Sequence, residues 1–182
     1  MAHIQQKMFL EKVKLINPKY FRFKKVLDVG SLDINGSNKD LFVHSDYIGI
    51  DVAEGKNVDV VSSAHEYKED DESFDTIVSS ECFEHDMFYK DSLINIYRLL
   101  KRGGLFTFTC ATIGRPEHGT RRTSPQDAPL LQGFPVWQDY YKNLTEEDIR
   151  EVLNVDELFS KYKFEIGHET KDLYFWGIKK VI

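Results

Sequence analysis

At 182 residues with a formal net charge of -6, the chain is long enough to bury a core without disulfide or metal staples, and one domain spanning 1–182 is the default expectation. Apolar residues at 41% and charged residues at 30% describe a globular chain and exclude a disordered one. The acidic balance argues against a general nucleic-acid binder, and no run of about twenty apolar residues offers a membrane span.

Gln5, Gln6, Lys7, Glu11 and Lys12 interrupt the N-terminal segment, so no export signal is expected. Cys82 and Cys110 lack metal-ligand spacing, and a reducing cytoplasm is the expected setting. Residues 4–16 place Phe9, Val13 and Ile16 on one helical stripe, stopped by Asn17-Pro18. Apolar runs at 24–30, 47–51, 58–61, 74–80 and 105–111 read as buried strands. A helix over 88–101, with Leu93, Ile96, Tyr97 and Leu100 on its face, stops at Gly103-Gly104. Strand alternating with helix predicts an α/β fold around a parallel sheet. Thr145 and Asp148 form a capping box before Ile149, Val152 and Leu153, and 162–168 with 173–180 reads as a closing antiparallel hairpin.

In an open parallel sheet the ligand binds beyond the carboxyl ends of the strands. VLDVGSLDINGS (26–37) puts Gly30 there, where a bare backbone lets a ligand approach. Leu32 and Asp33 stand where a dinucleotide fingerprint would have its later glycines, which disfavours a nicotinamide-dependent oxidoreductase. Asp28 and Asp33 repel phosphate and suit a ligand bearing ammonium and sulfonium groups. Asp51 ends the second strand, placed to accept ribose hydroxyls. Ser63 and Ala64 would lie beside adenine. Ser31, Val52 and His65, adjacent in sequence, complete this part of the candidate set.

LDVGS, YIGID, FDTIVSSECFEH and LLKRGGLFTFT, in that order over residues 24–111, resemble the class I S-adenosylmethionine-dependent methyltransferases. The resemblance implies a Rossmann-like, seven-stranded, mostly parallel sheet with helices on both faces and a C-terminal antiparallel hairpin. It also implies that Asp28 and Gly30 frame the methionine part, that Asp51 holds ribose, and that Ser80 and Glu81 line the sulfonium region. Two features depart from the family: the glycine loop is atypical, and Ser63 stands where many relatives carry an acid.

SSECFEHD (79–86) places Glu81, Glu84 and His85 at spacings that a helical turn would bring to one face. The spacing is similar to that of ubiquinone-pathway O-methyltransferases and small-RNA 2'-O-methyltransferases, in which such residues hold a divalent cation. His118, after the next strand, would complete a shell suited to Mg²⁺, Mn²⁺ or Zn²⁺. Without metal, His85 and Glu81 stand as the catalytic pair, with His85 accepting the acceptor's proton.

Residues 112–144, rich in arginine and aromatics, form a long insertion of the functional kind. His118, Arg121, Arg122, Tyr140 and Tyr141 are its candidate substrate contacts; a guanidinium suits an anionic acceptor, and the alternative is ion pairing with Asp127, Asp139 or nearby glutamates while the aromatics seal the core. The expected reaction is methyl transfer to a hydroxyl or amine of a small acceptor, with a sugar or a phosphorylated or nucleotide-linked sugar as the leading choice. The alternatives are a metal-assisted RNA-terminus 2'-O-methyltransferase and a non-catalytic cofactor-binding module.

Overall fold

The computed structural model describes residues 4–181. Helix α1 (Ile4–Ile16) leads into β1 (Lys25–Val29), followed by β2 (Asp46–Asp51), β3 (Val60–Val61) and β4 (Phe74–Ser80). After α2 (Tyr89–Leu99) come β5 (Leu100–Ala111), α3 (Glu146–Val152), α4 (Val155–Leu158), β6 (Phe159–Gly167) and β7 (Asp172–Lys179). The strands form one seven-stranded sheet in the order β3-β2-β1-β4-β5-β7-β6. Pairing is parallel from β3 through β5, and β7 is antiparallel to both β5 and β6.

Each face of the sheet has its own core, as strands with two apolar faces require. On one side Phe9, Leu10 and Val13 of α1 pack with Val26, Val78, Leu105, Tyr174 and Trp176. On the other, Leu93 and Ile96 of α2 and Ile149 of α3 pack with Leu27, Ile77, Phe106 and Phe175. The capping box is present: Thr145 Oγ1 accepts from the Asp148 N–H at 3.2 Å, and Asp148 Oδ2 accepts from the Thr145 N–H at 2.9 Å.

Three expectations shift. Ile16 is 46% exposed, because Pro18 turns the chain and Tyr20 and Phe21 enter the core in its place. Helix α2 ends at Leu99: Leu100 is fully buried and already extended, pairing with Phe74, and Gly103-Gly104 lie within the irregular start of β5. The connections β1–β2, β2–β3 and β3–β4 contain no α-helix among the described residues, only a 3-10 turn at Asn38–Leu41 in the first. Strand alternation with helix therefore holds only around β4 and β5. Residues 112–144 fold as a series of short turns, Pro125–Asp127, Pro129–Gly133 and Trp137–Asp139.

Candidate functional site

The carboxyl ends of β1, β2 and β4 open onto one cleft, lined among others by Asp28, Gly30, Ser31, Asp51, Val52, Ser63, Ala64, Ser80, Glu81 and His85. Gly30 makes the first turn with φ +73, and the N–H groups of Gly30 and Ser31 both donate to the Ile50 carbonyl at 3.0 Å. A Cβ on Gly30 would lie 2.6 Å from the Cβ of Cys82. Glycine is thus demanded twice, by conformation and by space.

Asp28 is buried at the floor. Tyr47 donates to its carboxylate at 2.5 Å and Asn38 Nδ2 at 3.3 Å. Burial outweighs these bonds and pushes its pKa up to about 7. Asp51 accepts from the N–H of Val52 at 2.8 Å and of Leu32 at 3.1 Å, which locks the rotamer that faces the cleft. Ser63 Oγ donates to Glu66 at 2.9 Å. His65 is not among the cleft-lining residues, because its ring packs on Phe88 with centroids 4.2 Å apart.

Beyond β4 the backbone does not continue as a helix. Glu81 has φ +53, a conformation costly for a residue with a side chain, and the 3-10 turn begins only at Phe83. The expected single face of Glu81, Glu84 and His85 is therefore not formed by local helical spacing. Glu81 instead points its buried carboxylate toward Arg115, 3.5 Å away, whose guanidinium donates to Asp172 at 2.9 Å and to the Thr170 carbonyl at 2.7 Å. Burial and the neighbouring Glu84 raise the Glu81 pKa well above the usual range.

Glu84, His85 and His118 converge, with one donor atom from each lying within 4.8 Å of the others. Glu84 accepts from the Ala111 N–H at 3.2 Å, and burial lifts its pKa to about 7. Burial holds both imidazoles below their ordinary pKa, so they are neutral near pH 7. His118 Nδ1 lies 3.1 Å from the Pro116 carbonyl, which leaves Nε2 directed inward. Glu84 Oε2, both ring nitrogens of His85 and His118 Nε2 are buried without a hydrogen-bond partner, as are both Glu81 carboxylate oxygens. Such a concentration is costly unless a ligand meets it. The donor set, carboxylate with neutral imidazole, fits a divalent cation.

The insertion splits between roof and rim. Residues 127–131 and Trp137 line the cleft, and Trp137 Nε1 donates to the His85 carbonyl at 2.5 Å. Tyr141 packs against His85 and His118, with centroids 5.6 and 5.0 Å away, and Tyr140 is half-buried beside it. Arg121 and Arg122 do not line the cleft: Arg121 pairs with Asp139 at 2.8 Å, and Arg122 with Glu117 at 3.0 Å and Asp139 at 3.4 Å. Their exposed side chains are held by Glu117, close in sequence, and by Asp139, which the turns of the insertion bring back beside them. Asn38, the 127–131 roof and the cleft-facing place of Asp86 escaped the sequence reading: Asn38 and 127–131 stand in irregular segments, and Asp86 was passed over within SSECFEHD.

Residues 27–108, essentially β1 through β5, match the family model described as methyltransferase domain. No curated protein matches the chain by sequence. Burkholderia thailandensis 1,6-didemethyltoxoflavin-N1-methyltransferase, solved with 1,6-didemethyltoxoflavin and S-adenosylhomocysteine, is similar at TM-score 0.64 and 16% identity, over 97% of this chain and 80% of that one. Haemonchus contortus phosphoethanolamine N-methyltransferase 2, solved with S-adenosyl-L-methionine, is similar at TM-score 0.66 and 16% identity over 96% of this chain; the chain spans about half of that enzyme's length, 53%. A SAM-dependent methyltransferase from Archaeoglobus fulgidus is similar at 0.62 and 16% identity over 96% and 94%. At these identities the likeness establishes the fold. The segment matched by the methyltransferase-domain model runs through the strands that build the cleft, and the fold is that of S-adenosylmethionine-dependent methyltransferases.

Proposed function

We propose that the chain transfers a methyl group from S-adenosylmethionine to a hydroxyl or amine of a small acceptor, with a sugar as the leading class. The observation that carries this reading is that Gly30 and Asp51 face the same cleft as Glu81 and His85. Bound there, the cofactor supplies an electrophilic methyl group on a sulfonium centre. Asp51 offers carboxylate oxygens to ribose hydroxyls, and Asp28 with Asn38 meets the ammonium end. Methyl transfer is an in-line displacement, so the protein's task is alignment and removal of the acceptor's proton. His85, a neutral imidazole with unpartnered nitrogens, takes that proton. Residues 127–131 and Trp137, which line the same cleft, are the part of the insertion placed to shield the reacting atoms from water.

A second reading is favoured by the convergence of Glu84, His85 and His118. These three residues, with Glu81 nearby, would hold a divalent cation that acidifies an acceptor hydroxyl. Vicinal hydroxyls, as on a sugar or an RNA terminus, suit that arrangement. Arg121 and Arg122, tied to acids on the rim, lend no support to a phosphate on the acceptor.

The test is transfer of labelled methyl from S-adenosylmethionine to a panel of sugars, small amines and RNA oligonucleotides, with and without EDTA. Transfer to a sugar that survives EDTA and is lost in His85→Ala supports the first reading. Transfer abolished by EDTA and restored by Mn²⁺ or Mg²⁺ supports the second. Absence of S-adenosylhomocysteine binding would end both.

A further inference from the structure

The cleft walls carry Asp28, Asp51, Glu81, Asp86 and Asp127, and among the described residues no lysine or arginine lines it. Carboxylates suit an ammonium and a sulfonium, but S-adenosylmethionine also bears an α-carboxylate. A carboxylate placed among acids needs a compensating cation.

One candidate stands directly behind the cleft wall. Lys7, on α1, donates from Nζ to the carbonyl of Asn35 at 2.9 Å. Asn35 and Gly36 both line the cleft. A Cβ on Gly36, whose φ is +112, would lie 2.5 Å from Lys7 Nζ, so the missing side chain leaves the ammonium its place. This wall is at the methionine end, because Asn38, two residues on, donates to Asp28 at 3.3 Å. The other nearby cations are less well placed. Lys56 is paired with Asp33 at 2.8 Å, and Lys39 is exposed, with Nζ 5.7 Å from the Tyr47 ring centroid.

We infer that Lys7 is the cation that receives the cofactor's α-carboxylate, reaching it past Gly36. The inference rests on the cofactor reading above. A lysine ammonium on a flexible stem can leave one carbonyl for a carboxylate at little cost, and the exchange replaces a neutral acceptor with a charged one. Helix α1 thereby becomes part of the binding site and not only a cover for the sheet.

The test is calorimetric titration of the whole protein with S-adenosylhomocysteine and with 5'-methylthioadenosine, which keeps adenine and ribose but lacks the amino-acid end. Lys7→Gln should weaken S-adenosylhomocysteine by about tenfold or more while leaving methylthioadenosine within about twofold. Lys7→Arg should recover most of the loss, and Lys39→Gln should change neither ligand. Lys7→Met serves as a second variant should the glutamine protein melt early. Equal losses for both ligands would make Lys7 a loop tether and overturn the inference, as would no loss for either. Failure of the unsubstituted protein to bind either ligand would instead overturn the cofactor reading, and this inference with it.

Discussion

The rings of His85 and His118 meet edge to face, with centroids 5.0 Å apart and planes at 90°. Two different strand ends deliver them, one after β4 and the other after β5. Burial keeps both neutral, and Glu84 adds a carboxylate oxygen within 4.8 Å of their nitrogens. A Cβ on Gly119 would lie 2.6 Å from His85 Cε1, so the chain passes hard against the imidazole.

On the metal reading of that geometry, Mn²⁺ or Zn²⁺ should be retained near-stoichiometrically after dialysis, measured by elemental analysis. Glu84→Gln and His118→Ala should each lower retention at least tenfold, within the range seen when a metal site loses a partner. Arg121→Ala, on the outer rim, should leave it unchanged. Uptake that ignores Glu84 and His118 would remove the metal reading and leave His85 as a proton acceptor.

Asp51→Ala removes two carboxylate oxygens from the cleft wall at the end of β2, where the proposed function puts ribose. Loss of S-adenosylhomocysteine affinity of roughly 1.5–3 kcal/mol is expected, the worth of a charged hydrogen bond. Part of that loss comes through the loop, because Asp51 also holds the N–H groups of Leu32 and Val52. Asp51→Asn should therefore fall between the two proteins. Calorimetry that finds Asp51→Ala unchanged would place ribose elsewhere.

At Gly30 the expected effect is on stability as well as binding. Gly30→Ala places a Cβ against Cys82 in a backbone of φ +73 and should destabilise by about 1–3 kcal/mol. Cys82→Ala should not rescue it, because the Cβ of Cys82, not its sulfur alone, lies in the way at 2.6 Å. Thermal melts of the single and double variants decide this. Full rescue would mean that sulfur crowding is the whole effect.

For Asp28 the sign is set by its raised pKa. The folded protein binds this proton more tightly than the unfolded chain, with a pKa of about 7 against 3.8. Its contribution to stability is thus greatest below about pH 4 and declines as pH rises toward 7, with a slope of at most about 1.4 kcal/mol for each pH unit. Denaturant melts should show that slope in the unsubstituted protein and a flatter one in Asp28→Asn. An ammonium bound beside Asp28 favours the carboxylate, so S-adenosylhomocysteine affinity should fall as pH drops below 7. Identical slopes in the two proteins would show that Asp28 does not titrate in this range.

Alternating apolar runs, the glycine after β1 and the acid closing β2 are local patterns, and from them the parallel sheet and the cleft's position were legible. The same holds for the capping box at Thr145 and the terminal hairpin, where neighbouring residues alone set the geometry. Helical spacing failed at Glu81, whose left-handed backbone breaks the turn that would have aligned it with Glu84 and His85. What gathers Glu84, His85 and His118 is the adjacency of β4 and β5, whose ends lie side by side although 27 or more residues separate Glu84 from Ala111 and His118. Arginine content likewise suggested substrate contacts at Arg121 and Arg122, while the structure pairs them with Asp139 and Glu117 and brings Arg115 to Asp172 at the head of β7. Local periodicity and backbone freedom, both properties of the amino-acid order, were enough to say which residues form strands and which strand ends carry acids. Which side chains meet followed only from the assembled sheet, because burial, desolvation and ion pairing depend on strands brought together across the chain.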